Sequence, residues 1–295
     1  MIAWCRLRPA GLPGFYERSK SPSDGEGRME CRQDPMVNGS ASARVPGACD
    51  QCPVRTLALY WAIGEGPPAA TAEAISGLKR GHRLLPARRT IYREGETSDE
   101  MFTLFDGWAF RFKVLPDGRR QILSFLLPGD TISLHLLRFD RLHFSVQSLT
   151  AVSLCIFDRA SLADYVRARP ALERRVETFC ARETAAADER LADLGRRSAQ
   201  ERAARLVLHL LARLRQGSAV QGQSFEFPLR QQHIADALGL TSVHVSRVFH
   251  ALRADGLVAV ERNRLTILDP RALMKTAGIR QSDLDAETLY SPTAS

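Results

Sequence analysis

The sequence predicts an α+β protein in which an antiparallel β-roll, a long helix and a helix-turn-helix with a two-stranded wing follow one another. Three observations carry this prediction. Short apolar runs separated by turns fill residues 82–160, a helical pattern continues over 161–195, and two short helical patterns meet at Gly239. Evenly spaced short strands favour a small barrel or roll.

We divide the 295-residue chain into five segments by composition and periodicity. An extension rich in Gly, Pro, Ser and Arg predicts disorder over 1–47, and a polar tail predicts flexibility over 281–295. Between them we expect a β-roll domain at 48–165, a long helix at 166–196 and a winged helix-turn-helix domain at 197–280.

The clearest strand of the predicted roll lies between residues 108 and 114. Alternation with period two is typical of a half-buried strand. Trp108, Phe110, Phe112 and Val114 alternate there with Ala109, Arg111 and Lys113. The runs Asp106-Gly107, Pro116-Asp117-Gly118 and Pro128-Gly129-Asp130 predict the intervening turns.

The long helix carries an apolar stripe that indicates a packing partner. The stripe is formed by Leu172, Val176, Phe179, Ala187, Leu191 and Leu194. A second copy of the same helix is the simplest partner. Glu183 and Arg190 interrupt the stripe, so packing of the helix on its own roll is the alternative.

The helix-turn-helix prediction rests on residues 230–254. A first helix at Arg230–Leu238 ends at Gly239, where a left-handed backbone costs least, and Thr241 is a suitable N-cap for the second helix. The buried stripe of the second helix is Val245, Val248, Phe249 and Leu252. The opposite face carries Val243, Ser246, Arg247 and His250, with His244 at its edge.

The outward face of the second helix predicts reading of DNA in the major groove. In the major groove arginine can form hydrogen bonds with guanine, and small apolar groups can contact the thymine methyl. A wing at Leu257–Glu261 and Leu265–Leu268 would bring Arg262 and Arg264 to the phosphates. Residues 197–280 hold 13 Arg and Lys against 6 Asp and Glu, a net +7 of the chain's +8. Two packed helices of an ordinary all-α region are the alternative.

Composition excludes several other classes of protein. No run approaches 18 apolar residues and no secretory apolar core follows the N-terminus, so we expect a cytoplasmic protein. The six cysteines are scattered, which argues against a disulfide framework. We find no glycine-rich phosphate loop and no Ser/His/Asp constellation, so we do not expect an enzyme.

The complete order of elements resembles the CRP/FNR family of bacterial transcription regulators, in its FNR/FixK-like branch, over residues 48–279. The resemblance is most specific at Tyr92–Glu96, Met101–Val114, Leu127–Asp130 and Ile234–Arg253. It implies a homodimer with a sensory roll of the cyclic-nucleotide-binding type, a dimerisation helix and a two-fold symmetric DNA operator. It also implies contact with RNA polymerase.

The resemblance assigns DNA-reading roles to individual residues. Arg247 closes the base-reading motif after Ser246, and Val243 stands where many relatives hold a glutamate. Because valine cannot accept from cytosine, we expect a different half-site at that base. The start of the first helix supplies phosphate contacts in the family. The predicted DNA-binding residues are Arg230, Gln231, Gln232, Thr241, Ser242, Val243, His244, Ser246, Arg247 and Arg262.

The signal that the roll senses is left open. Relatives that bind cyclic AMP hold the ribose with a glutamate after the Pro-Gly-Asp turn, where this chain has Thr131-Ile132-Ser133. Their Arg-Ser phosphate pair corresponds to Leu142 and His143, with Arg141 one residue away. Since a buried phosphodiester needs its charged partner, these replacements argue against cyclic AMP.

An iron–sulfur cluster is the second candidate. Cys49, Cys52 and Cys155 match three of the four thiolates that hold a [4Fe–4S] cluster in redox-sensing relatives, but Ala58 and Tyr60 stand where the fourth would be. The cysteine pair could instead be a thiol switch, half a zinc site or a relic, with Cys155 a core residue. We therefore predict a regulator that responds to an unidentified signal, for which a redox- or oxygen-related one is a candidate. A sensor that acts through protein contacts, with a degenerate DNA-binding domain, is the alternative.

Overall fold

The structure, a computed structural model, describes residues 73–279 apart from 75, 133, 217–219 and 221. The described residues form one compact unit. The predicted order of roll, long helix and winged helix-turn-helix is confirmed. The N-terminal extension, Cys49, Cys52 and the tail at 281–295 lie outside the described residues.

In the part of the roll that the structure describes, seven antiparallel strands form two sheets. The strands are β1 (Lys79–Leu85), β2 (Thr90–Tyr92), β3 (Glu100–Asp106), β4 (Ala109–Val114), β5 (Arg120–Leu126), β6 (Ser145–Ser148) and β7 (Val152–Asp158). One sheet has the order β1-β7-β3 and the other the order β2-β6-β4-β5. A short 3₁₀ helix, Leu134–Leu137, lies between β5 and β6.

The burial of β4 differs from the predicted alternation. Ala109 is fully buried inside the roll, whereas Phe110 is buried in the core shared with the C-terminal domain. Both faces of the strand are therefore covered where it begins. Val114, predicted to point inward, is 55 % exposed because the strand runs past that core towards its hairpin.

The helical region after the roll consists of two helices, α1 (Arg159–Arg167) and α2 (Pro170–Arg196). Asp158 caps α1 by accepting hydrogen bonds from the backbone and hydroxyl of Ser161. A proline has no N–H to donate and fits the first turn of a helix, which explains why α2 starts afresh at Pro170.

The apolar stripe of α2 divides into two parts. Leu172 and Val176 are buried against the roll and α1. Leu191 and Leu194, within the last two turns of α2, are 71 % and 38 % exposed. Glu183, predicted to interrupt the stripe, bonds to Arg111 of the roll. The first half of α2 thus follows the predicted alternative, packing on its own roll, while the second half presents apolar side chains.

In its described residues the C-terminal domain contains four helices and a three-stranded sheet, in which β10 (Arg264–Ile267) lies between β8 (Ser224–Glu226) and β9 (Val258–Glu261). The sequence predicted neither β8 nor the last helix, α6 (Pro270–Ala277). A three-residue strand such as β8 is too short for periodicity to reveal. The elements are α3 (Ala199–Gln216), β8 (Ser224–Glu226), α4 (Gln231–Leu238), α5 (Ser242–Ala254), β9 (Val258–Glu261), β10 (Arg264–Ile267) and α6 (Pro270–Ala277).

The roll packs directly on this domain. Phe110 and Phe125 share a buried cluster with Ile234 of α4, and Arg213 of α3 donates to the Phe125 carbonyl at 2.8 Å and to Asp130. The C-terminal domain is therefore held in place by the roll. Among the described residues, no helix is both long and apolar enough to cross a membrane.

Candidate nucleic-acid interface

The turn between α4 and α5 has the geometry that its sequence predicts. Gly239 adopts φ +63° and its N–H donates to the Ala235 carbonyl. That backbone region is cheapest for glycine. Thr241 caps α5 by accepting from the His244 N–H at 3.2 Å. The glycine and the cap together fix the angle at which α5 leaves α4.

Helix α5 separates a buried face from an exposed one. The predicted stripe of Val245, Val248, Phe249 and Leu252 is buried, Leu252 completely. On the opposite side Val243 is 63 % exposed. Val243 therefore takes no part in the core of its domain. His244, Arg247 and His250 are exposed beside it, and Ser242 and Ser246 are half-buried.

An open groove of about 550 Å³ runs beside this face. Thr241, His244 and Arg247 line one wall, and Ser198 and Gln200 at the start of α3 line the other. Sequence reasoning missed the α3 wall because those residues lie more than 40 positions away along the chain. Four of the predicted DNA-binding residues therefore line one concave surface: Thr241, Val243, His244 and Arg247.

The first turn of α4 brings the predicted phosphate contacts to the same side of the domain. Arg230, Gln231 and Gln232 are exposed, and Ser242 of α5 donates to the Gln232 amide oxygen at 2.9 Å. His233 is half-buried and its Nδ1 accepts from the Arg230 N–H. The pKa of His233 lies below its ordinary value, mainly because the ring is partly buried and secondly because of the positive charge of Arg120.

The wing turns at Arg262 and Asn263, which adopt φ +46° and +64°. Two successive residues of positive φ are typical of a tight hairpin, and asparagine tolerates this region well. The Asn263 carbonyl accepts from the Phe227 N–H at 2.6 Å, which ties the turn to the domain. Arg262 is exposed at the tip, where we predict it contacts phosphate.

A second polar cluster lies between the roll and α2. Arg111 donates to Ser124 at 2.7 Å and to Glu183 at 2.6 Å, and its guanidinium lies over the Phe144 ring. Burial acts to raise the pKa of Glu183, but the charge and hydrogen bond of Arg111, together with the charges of Arg190 and Arg213, outweigh burial and lower the pKa. Burial, together with Arg111, also lowers the pKa of Arg190 to about 10. An internal ion pair thus occupies the boundary between roll and helix.

A pair of roll histidines packs beside this ion pair. His135 and His143 stand edge to face, 5.1 Å between ring centroids, and the buried Nδ1 of His135 has no hydrogen-bond partner among the described residues. Burial lowers the pKa of His135 to about 4, with further lowering from the charge of Arg111. His135 is therefore neutral at ordinary pH.

The described residues do not assemble a metal centre. They contain no group of three or more His, Cys, Asp or Glu side chains placed to hold a metal ion. Cys155 is buried in β7 among core residues. Cys180 lies on α2, where burial and Glu183 raise the pKa of its thiol. The two cysteines that would join Cys155 lie outside the described part of the chain.

Leu142 and Arg141 lie at and beside the position where the resemblance places the nucleotide-phosphate contacts. Leu142 is 1 % exposed and packs in the core of the roll. Arg141 donates to the Gly95 carbonyl at 2.8 Å. A buried phosphate is held best by a charged, bidentate partner, which Leu142 does not provide.

Comparison with known proteins agrees with this geometry. Residues 82–169 match the cyclic nucleotide-binding domain model, and residues 201–276 match the Crp-like helix-turn-helix model. The chain is 34 % identical over 220 residues to the transcriptional activatory protein AadR of Rhodopseudomonas palustris, covering 75 % of this chain and 89 % of that protein. It is also 34 % identical over 225 residues to the nitrogen fixation regulation protein FixK of Bradyrhizobium diazoefficiens, covering 75 % and 90 %.

The solved structure of FixK2 from Bradyrhizobium japonicum superposes with a TM-score of 0.62 at 26 % identity. The superposition covers 66 % of this chain and 96 % of FixK2. The alignments with AadR and FixK, at 34 % identity, cover 89 % and 90 % of those two proteins. The roll and the helix-turn-helix each match a family model separately. With an exposed reading helix on a domain held by a sensory roll, the chain belongs to the CRP/FNR family of DNA-binding transcription regulators.

Proposed function

We propose that the protein works as a cytoplasmic homodimer whose two α5 helices enter successive major grooves of a two-fold symmetric operator. The observation that carries this proposal is the separation of faces on α5: Val245 and Leu252 are buried, while Val243 and Arg247 face outward. A helix presenting such a face, flanked by basic residues, matches the requirements of a major-groove reader. Exposed Leu191 on α2 supplies the apolar surface for pairing.

The exposed side chains suggest how each half-site is read. Arg247 can donate two hydrogen bonds to a guanine, and Val243 can touch a thymine methyl but cannot accept from cytosine. Arg230, Gln231 and the wing residue Arg262 lie around α5, where contacts to phosphate would fix its register. We therefore propose that Arg247 and Val243 set the base preference and that the surrounding residues set affinity.

Selection from a random DNA library tests this function. Duplexes retained by the full-length protein in excess competitor DNA are sequenced after several rounds. We expect an inverted repeat whose half-sites lie about one helical turn apart, with affinity that falls steeply as salt rises. A protein that enriches no sequence, or enriches one without two-fold symmetry, would contradict the proposal.

We further propose that the bound protein contacts RNA polymerase and activates transcription. The support is the printed description of relatives such as AadR as a transcriptional activatory protein. Transcription from a promoter carrying the selected operator, with purified polymerase and with or without the protein, decides the direction. Reduced transcript at every operator position would show a repressor instead.

The sensory roll does not carry the residues of a cyclic-nucleotide site, and we propose that cyclic AMP is not its effector. We also expect no [4Fe–4S] cluster, because one of its four thiolates has no counterpart in the sequence. Protein purified without oxygen should contain no stoichiometric iron or sulfide, and added cyclic AMP should not change operator affinity. About four iron and four sulfide per chain would overturn the first expectation.

A further inference from the structure

A continuous chain of polar contacts joins the roll to the start of α5. Arg120 of β5 donates to Asp236 of α4, with its Nε and Nη2 2.8 Å and 2.7 Å from Oδ2. The other carboxylate oxygen of Asp236 accepts from the Gln232 amide nitrogen at 2.6 Å. The Gln232 amide oxygen in turn accepts from the Ser242 hydroxyl at 2.9 Å. Four side chains thus connect sequence positions that are up to 122 residues apart.

The roll end of this chain is held firmly. The Asp236 side chain is only 9 % exposed, and that of Arg120 is 25 % exposed. The guanidinium of Arg120 also lies over the Phe110 and Phe112 rings, 4.9 Å and 5.6 Å from their centroids. A shielded charge pair that is also stacked on aromatic rings loses less to solvent than a surface pair does.

Asp236 determines which way the Gln232 amide faces. A carboxylate only accepts hydrogen bonds, so the amide must turn its nitrogen towards Asp236 and its oxygen towards Ser242. Without the Asp236 carboxylate, the hydrogen bond that orients the amide nitrogen of the exposed Gln232 side chain is lost. Gln232 and Ser242 are both predicted DNA contacts, so their placement depends on a residue pair that lies behind the DNA-binding surface.

We propose that Arg120 and Asp236 are positioning residues for DNA binding, through which the roll holds Gln232 and Ser242 ready for the operator. This inference rests on the proposed operator binding by α5. A neighbouring contact supports the same docking: the Gln121 amide of β5 donates to the Ala237 carbonyl at 3.3 Å. Any movement of β5 relative to α4 would therefore be transmitted to the first turn of α5.

A double-mutant cycle tests the proposal. Operator affinity is measured for full-length wild type, Arg120→Met, Gln232→Ala and the combined variant. We expect Arg120→Met to weaken binding about three- to ten-fold in the wild-type background and by less than about two-fold when Gln232 is already alanine. If Arg120 contributed only to stability, Arg120→Met would weaken operator binding by the same factor in the wild-type and Gln232→Ala backgrounds. Arg120→Lys, which keeps the charge, should recover part of the loss.

Arg83→Met is the matched control. Arg83 is also a roll arginine, paired with Glu100 at 2.9 Å and lying 5.2 Å from the Phe102 ring centroid, but it makes that pair within the roll. Its replacement should leave operator affinity unchanged. If Arg120→Met lowers the melting temperature too far for binding to be measured, Asp236→Asn replaces it in the same cycle.

The outcomes separate this proposal from the proposed function. Wild-type protein that binds no selected DNA contradicts operator binding itself. Two results would overturn only the positioning role while wild-type protein still binds the operator. In the first, Arg120→Met binds as tightly as wild type. In the second, the affinity losses caused by Arg120→Met and Gln232→Ala multiply in the combined variant.

Discussion

Replacing Arg247 with alanine is expected to weaken binding to the selected operator by about 1–3 kcal/mol, which is roughly five- to 150-fold. Arg247 is exposed on the face of α5 opposite the buried stripe, so its removal leaves the fold of the domain intact. The loss is expected to come from a bidentate contact to guanine, which alanine cannot replace. Fluorescence anisotropy with a labelled operator duplex measures it.

Base preference distinguishes a reading residue from a general cation. The Arg247→Ala protein should discriminate less at one base pair of each half-site and keep its preference at the others. Arg167→Ala, which removes an exposed arginine from α1 of the roll, serves as the control for net charge. Equal losses in the two variants, or unchanged affinity for Arg247→Ala, would mean that another surface reads the operator.

The helix-turn-helix could be predicted from sequence because its determinants are local. Gly239 and Thr241 mark the turn through backbone preference and capping, and both act within four residues. The buried stripe of α5 follows from helical periodicity alone, and the structure confirms each of its members. Local sequence therefore defines which face of α5 is exposed before any tertiary contact is known.

Contacts between distant parts of the chain could not be predicted in this way. Ala109 stands among the polar positions of the alternation in β4, but it lies in the interior of the roll, while the C-terminal domain covers the opposite face of the strand at Phe110. The pairing of Arg120 with Asp236 joins residues 116 positions apart and leaves no periodic signal. Glu183 appeared to interrupt an apolar stripe, although it faces Arg111 of the roll. In each case a partner from another element decides the environment.

Replacing Leu191 with glutamate is expected to convert the proposed dimer into a monomer and to abolish operator binding at concentrations where wild type is saturated. Near a two-fold axis the same residue from each subunit enters the interface, so one substitution acts twice. Each subunit loses about 2 kcal/mol of apolar burial. Two carboxylates would also be brought together in an apolar surface, at a further cost of several kcal/mol per ion.

Light scattering after size-exclusion chromatography measures the mass, and anisotropy measures binding to whole operators and single half-sites. Leu84→Glu is the control, since Leu84 is also a largely exposed leucine, 52 % against 71 % for Leu191, but lies on β1 of the roll. The monomer should keep its weak half-site binding, because α5 is folded by its own domain. A Leu191→Glu protein that remains dimeric would show that the exposed part of α2 does not pair. The two reading helices would then need a different surface to hold them one turn of DNA apart.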